Sequence, residues 1–238
     1  MKTYLRLKEI FNEASLTSDI AGILHWDMST MMPNNSREQR SEQLAYLSKL
    51  SHSKISSSEV GDLIEASKNI GLNSSDQRNL NEMDREYKLA SAIPTDLVEK
   101  ISKSSAKCEG VWQEAREKSD FKLVKKDLEE LINLTKDEAN ILGETFKVSP
   151  YEALINKFEP SSEEKTISKV FDDLQKFLTP LIDKIIDNQK KEEILKFETS
   201  IDEEKQKNIS EHIMKKIGFD FTRGRLDKSV HPFCGGST

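Results

Sequence analysis

The sequence predicts an all-α protein, a multi-helix array of about eight or nine helices with a Gly/Pro-rich, non-helical C-terminal tail. Three observations carry that prediction. Apolar residues recur at three- and four-residue steps along nearly the whole chain, the spacing that gathers them on one face of a helix. Residues that start and stop helices punctuate the pattern. Glycine then concentrates at the end: four of the nine (Gly218, Gly224, Gly235 and Gly236) fall within the last twenty-one residues, which marks a loop or extended stretch.

Taken in order, the amphipathic opening "MKTYLRLKEIFNEAS" predicts a helix over 2–14 and a second over 16–30, terminated before Pro33. Ser36 with Gln39 has the spacing of a capping box and opens a helix over 36–53. Helices over 58–70 and 75–91 follow, the first closed by Gly71 after Ile70. Leu97, Ile101, Cys108, Val111, Trp112 and Ala115 form the stripe of a helix over 95–118. Phe121, Val124, Leu128, Leu131, Leu134 and Leu142 do the same over 121–144.

A short break near Pro150 to Pro160 comes next, with no linker long enough to mark a domain boundary, so 1–238 reads as a single helical region. The strongest stripe is Ile167, Val170, Phe171, Leu174, Leu178, Leu181, Ile182 and Ile185, in a helix over 163–188 opened by Ser161 with Glu164. Pro180 inside it predicts a kink or a restart near Thr179. Ser200 with Glu203 opens the last helix, 201–217, and Gly218 closes it after Ile217. No repeat of fixed period is visible.

Composition excludes several function classes. Charged residues make up 33% of the chain and the net charge is −6 with both signs finely mixed, so the basic stripe that phosphate-backbone binding needs is missing and a nucleic-acid partner is not expected. No run approaches the roughly eighteen apolar residues of a membrane span. The N-terminus has acids and no small-residue cleavage site, unlike a secretory signal. Cys108 and Cys234 stand in unrelated contexts and read as free thiols of a cytoplasmic protein.

The residues that carry chemistry are sparse. No two of His25, His52, His212 and His231 have the four-residue spacing that puts two imidazoles on one helix face, and no His-Glu dipeptide occurs. His25 and Asp27 in "ILHWDMSTMMP" point to different sides of a helix; the simpler expectation is a helix end with Trp26, Met28 and Met31 packed in a core. His212 is expected on a solvent-facing helix face near a C-terminus. With 42 acidic residues, carboxylate pairs such as those in "DEEK" are expected as solvated faces. Cys234 beside Gly235 and Gly236 has no assigned base and is a weak nucleophile candidate. Arg225 and Asp227 of "GRLD" are expected to form an ion pair that holds a turn.

Four stretches, in order, nevertheless resemble the carboxypeptidase Taq family, zinc metallocarboxypeptidases of the HExxH type with an almost wholly helical fold. They are "WDMSTMMP" with the following "SREQRSEQLAYLSKLSH", "VWQEAREKSDFKLVKKDLEELINLTKDEA", "SPYEALINKFEP", and "GFDFTRGRLDKSVHPFCGG" with its His-Pro-Phe motif at His231, Pro232 and Phe233. Glu152 and Phe158 depart mildly from the family's third segment. The resemblance implies that the chain corresponds to the amino-terminal half of such an enzyme. The Asp-x-Arg-x-Thr segment, the HExxH helix, the third zinc ligand and the arginine for the substrate carboxylate all come later in that family and do not occur here.

On that resemblance the whole enzyme uses zinc and removes residues from peptide C-termini, whereas this chain supplies no catalytic residue, binds no metal and is inactive alone. Its helices form one wall and the cover of a substrate groove. His231 and Phe233 are the expected substrate-binding residues, with His231 donating a hydrogen bond to substrate or to a carboxylate near the metal. The competing expectation is that "HPF" fixes a turn with Phe233 packed under the other half. Apolar faces meant for that half should be covered in a homodimer or left as a patch near 218–238. The alternative function is a complete all-helical protein-interaction module without catalysis.

Overall fold

A computed structural model describes residues 1–192 and 200–235. Gly236 and part of the segment before the last expected helix therefore lie outside the described residues. Among those described, every regular element is helical: α1 (Lys2–Thr30), a 3-10 turn (Asn34–Ser36), α2 (Arg37–Ile55), α3 (Ser58–Ser67), α4 (Ser74–Ala92), α5 (Thr95–Glu117), α6 (Phe121–Phe146), α7 (Pro150–Phe158), α8 (Glu164–Gln189) and α9 (Glu203–Lys216). They divide into two compact units, one made of Met1–Pro160 with Ser229–Thr238 and the other of Ser161–Lys228.

The expected helices are present, with four differences that have local causes. The first two are one continuous α1. Thr17 Oγ1 donates to Glu13 O (2.8 Å) and Ser18 Oγ to Ala14 O (3.2 Å), so these hydroxyls fold back on the preceding turn and do not cap a new helix. The Pro150–Pro160 stretch is not a break but α7, because Ser149 caps it through Glu152 N (3.1 Å) and Pro150 occupies the first turn, where its missing N–H costs nothing. Helix α8 runs through Pro180 without a restart.

The expected capping serines are the fourth difference. Ser36 ends the 3-10 turn and makes no side-chain cap bond. The cap of α8 is Glu163, and that of α9 is Asp202, which accepts from Lys205 N at 2.9 Å. Ser36 thus holds the capping position of α2 without a side-chain bond, whereas for α8 and α9 a residue nearer the helix than Ser161 or Ser200 takes it. Gly218 does close α9: its φ is +91°, Gly218 N donates to Lys215 O (3.2 Å) and Phe219 N to Met214 O (2.9 Å), the paired bonds of a Schellman ending.

In the first unit, α1 is the organising element. Tyr4, Leu7 and Ile10 pack with Val60 and Ile64 of α3 and Leu80 and Met83 of α4. Tyr4 Oη donates to Asp76 Oδ1 (2.9 Å) and accepts from Asn79 Nδ2 (3.0 Å), so the buried phenol is fully paired. Met28, near the end of α1, packs with Leu44 of α2 and Ala106 of α5. Beside it Arg40 spans α1 and α2, donating to Leu24 O (2.6 Å) and Asp27 Oδ2 (2.5 Å). The expected helix end at "HWDMSTMMP" is thus correct for Met28, while Met31 stays exposed and Asp27 serves as an ion-pair partner. Further on, Ile93 and Leu97 pack with Leu142 of α6 and Ala153 of α7.

The second unit is built differently. No described residue of α8 or α9 is buried, although α8 carries the longest apolar stripe in the sequence. His212 is exposed on α9, the solvent-facing position expected of it. Arg225 and Asp227 pair through both carboxylate oxygens, at 2.7 and 2.8 Å, which is the expected ion pair.

Candidate functional site

The best-formed concavity of the first unit lies between α5, α6 and the returning segment at 229–233. Helices α5 and α6 meet at a tight reversal. Ser119 takes a left-handed φ of +51°, Ser119 N donates to Arg116 O (3.1 Å) and Asp120 N to Ala115 O (2.9 Å), while Asp120 caps α6 through Lys122 N (3.0 Å). This reversal sets the apolar stripes of the two helices face to face. Cys108 and Ala115 of α5 and Val124 of α6 are buried together, with Trp112, Leu128 and Leu131 packed against them.

Where the stripes diverge they leave a cavity of about 690 Å³, lined by Trp112, Phe121, Leu128, Val230, His231 and Phe233 among others. Most of its wall is apolar, with a few convergent polar groups, the usual composition of a site for a small molecule or a side chain. Ser29 of α1 donates to Glu109 Oε1 (3.1 Å) at its edge, and Gln113 adds an amide.

His231 is the polar centre of the returning segment. Its ring meets Trp112 edge-on, with centroids 6.0 Å apart and planes at 62°. The Arg116 guanidinium lies 5.6 Å from the same indole ring. His231 Nδ1 is 2.9 Å from Pro232 O, and a carbonyl only accepts, so Nδ1 carries the hydrogen. In the neutral ring Nε2 is then an acceptor. Ser229 Oγ donates to His231 O (2.7 Å) and completes the turn. Phe233 is 52% exposed and also lines the cavity.

The structure therefore brings the two sequence-nominated residues, His231 and Phe233, into one lining, and adds Trp112, Glu109 and Ser29 to it. Trp112 read in the sequence only as part of a stripe. Its partner is 119 positions away, and local spacing carries no signal for such a pair. Cys108 is buried in the same wall. Burial first, then the nearby Asp127 carboxylate, push its thiol above the ordinary range, so it stays protonated and acts as a packing group rather than a nucleophile. Cys234 is free and exposed.

The donor set of the described residues does not fit a metal. Among the described residues, no three His, Cys, Asp or Glu side chains come together as ligands. His52 is already engaged, donating from Nε2 to Ala90 O (2.8 Å) with Thr95 Oγ1 at its Nδ1 (3.3 Å). No described helix is long and apolar enough to cross a membrane.

Comparison with known proteins shows what this arrangement is similar to. The sequence model of the carboxypeptidase Taq (M32) metallopeptidase family matches residues 6–238. A thermostable carboxypeptidase 1 of Pyrococcus furiosus is 33% identical over 89% of the chain and 42% of its own length. Carboxypeptidase 1 of Bacillus subtilis is 29% identical over 98% of the chain and 47% of its own length. Among solved structures, one titled BsuCP overlays with a TM-score of 0.90 at 28% identity, covering 98% of this chain and 47% of that one. The Trypanosoma cruzi metallocarboxypeptidase 1 overlays with a TM-score of 0.82 at 32% identity, covering 100% and 48%. The chain spans about half the length of the curated relatives it matches.

Proposed function

Because the chain belongs to the carboxypeptidase Taq (M32) metallopeptidase family, we propose that it is the amino-terminal half of a zinc-dependent metallocarboxypeptidase and contributes one wall of the groove that receives a peptide C-terminus. Both compact units belong, on this reading, to one metallopeptidase domain. The observation that carries it is the family match through residue 238 together with the cavity that gathers His231 and Phe233 against Trp112.

The division of labour follows from the amino-terminal-half reading. On that reading the ion and the group that activates its water belong to the other half of such an enzyme, and this chain by itself is expected to release no amino acid from a peptide. What its residues supply is shape and exclusion of water. Trp112, Phe121 and Phe233 offer apolar surface to a substrate side chain, and His231 Nε2 accepts a hydrogen bond from a substrate amide N–H.

The family match favours this reading over a free-standing interaction module. The free Cys108 and Cys234 support a cytoplasmic, reducing location. Self-association into a homodimer remains the other way to cover exposed apolar surface, and sedimentation of the chain alone decides it.

The test is binding without turnover. A short peptide with an apolar C-terminal residue should quench or shift Trp112 emission, read in a Trp26→Phe background. Phe233→Ala should weaken the effect several-fold, and no amino acid should be released. Emission that ignores the peptide, or release of amino acids by the pure chain, would contradict the assignment.

A further inference from the structure

The cavity between α5, α6 and the returning segment carries one charge that apolar shape does not explain. Glu109, Trp112 and Gln113 stand three and four residues apart on one face of α5, so the Glu109 carboxylate sits one turn from the indole. Among the described residues that line the cavity, Glu109 is the one carboxylate, and no Lys or Arg joins it. Its side chain is half-buried, and its partner among the described residues is Ser29, whose Oγ donates to Oε1 at 3.1 Å. A neutral hydroxyl satisfies one lone pair and leaves the charge without a counterion. Arg116, the cation set against the Trp112 ring, does not pair with it. A carboxylate beside an apolar wall loses part of its hydration, and here no ion pair offsets that loss.

The neighbouring polar groups point the same way. The Ser29 hydrogen is committed to Glu109 and the Ser229 hydrogen to His231 O (2.7 Å), so both hydroxyls have only lone pairs left to offer. Nε2 of the neutral His231 ring is an acceptor as well. A ligand that completes this lining brings donors and positive charge at one end, and an apolar body that lies against Trp112, Phe121 and Phe233. Lysine and arginine side chains are built that way, with a methylene stem and a cationic head. Aromatic faces attract such a head further. We infer that Glu109 is the specificity-determining residue of this cavity and anchors the head of a lysine or arginine at the end of the bound peptide. The inference rests on the amino-terminal-half reading and extends it: the wall selects basic terminal residues over neutral ones of the same shape.

The test compares peptides that differ only in the last residue, lysine, norleucine or glutamate. Each is titrated into the full chain and read by Trp112 emission in the Trp26→Phe background. Norleucine keeps the lysine stem and lacks its ammonium group, so the ratio of the two affinities isolates the charge. The lysine peptide should bind about tenfold tighter than the norleucine peptide, or more, and the glutamate peptide weakest. Glu109→Gln, whose amide oxygen still accepts from Ser29, should bring the lysine-to-norleucine ratio to within about twofold. Glu109→Lys should invert the order of the lysine and glutamate peptides. Glu114→Gln removes an equal charge from the same helix, where Glu114 pairs with Lys118 away from the cavity lining, and should leave the ratio as it is. Urea unfolding of each variant verifies that the first unit is intact. Norleucine bound as tightly as lysine, a lysine preference that survives Glu109→Gln, or one that Glu114→Gln lowers equally overturns the inference and leaves the groove reading in place. Failure of all three peptides to bind overturns the groove reading, and the inference with it.

Discussion

Two chemically identical substitutions, Leu142→Ala on α6 and Leu174→Ala on α8, test whether burial is distributed as the structure says. Leu142 is 0% exposed and packs with Ile93, Leu97 and Ala153; Leu174 is 46% exposed on a helix with no buried residue. Removing a fully enclosed leucine forfeits its transfer energy and leaves a cavity, about 3–5 kcal/mol together. Truncating a half-exposed leucine leaves no cage behind, and alanine has the higher helix propensity, so the change stays within about 0.5 kcal/mol. Both tryptophans, Trp26 and Trp112, lie in the first unit, so their fluorescence follows Leu142→Ala, while far-UV ellipticity, which reports the helices of both units, follows Leu174→Ala. With a urea m-value of about 2 kcal/mol/M, Leu142→Ala should lower the midpoint by about 1.5–2.5 M, and Leu174→Ala should not move it. A shift below about 0.5 M for Leu142→Ala, or equal shifts for both, would refute the assignment of core and open seam.

Two further outcomes follow from single groups. Arg40 reaches Leu24 O, Asp27 and Gln43 from a side chain only 13% exposed; Arg40→Lys cannot serve all three acceptors and should cost about 1.5–3 kcal/mol in the same fluorescence assay, whereas a loss below about 0.5 kcal/mol would show the fork to be idle. Asp202 is held below its ordinary carboxylate range, first by the Lys205 backbone N–H and then by the Lys205 side chain. Its folded value is the depressed one, so its capping contribution is present in full above the ordinary range near pH 4 and is lost as pH falls through the lowered value. Helicity should therefore decline on acidification below about pH 4, and Asp202→Asn, which caps without titrating, should remove part of that decline.

Much of the fold was legible because helix formation is local. The stripes at 95–118 and 121–144 mark α5 and α6, and the Gly218 stop is the Schellman ending observed. Misreadings fell where one side chain has two local uses. The split expected between 14 and 16 is closed in α1, where Thr17 and Ser18 bond back along the helix, and Pro150 ends a helix or begins one according to whether Ser149 caps it. Of the cavity lining, His231 and Phe233 were legible as a motif. Trp112, Glu109 and Ser29 were not, because their roles come from contacts with residues remote in the chain.

The amino-acid order by itself determined how much of this protein is helix, where most helices begin, and which face of each is apolar, since spacing and capping act within a turn or two. Only the tertiary structure decided which of those faces find a cover. The stripe of α6 is enclosed by α5 and α7, while the equally apolar stripe of α8 stands open. The physical reason is that a periodic pattern fixes the direction in which a helix must bury its side chains, but burial needs a second surface, and whether one arrives depends on residues far away in the chain or outside it.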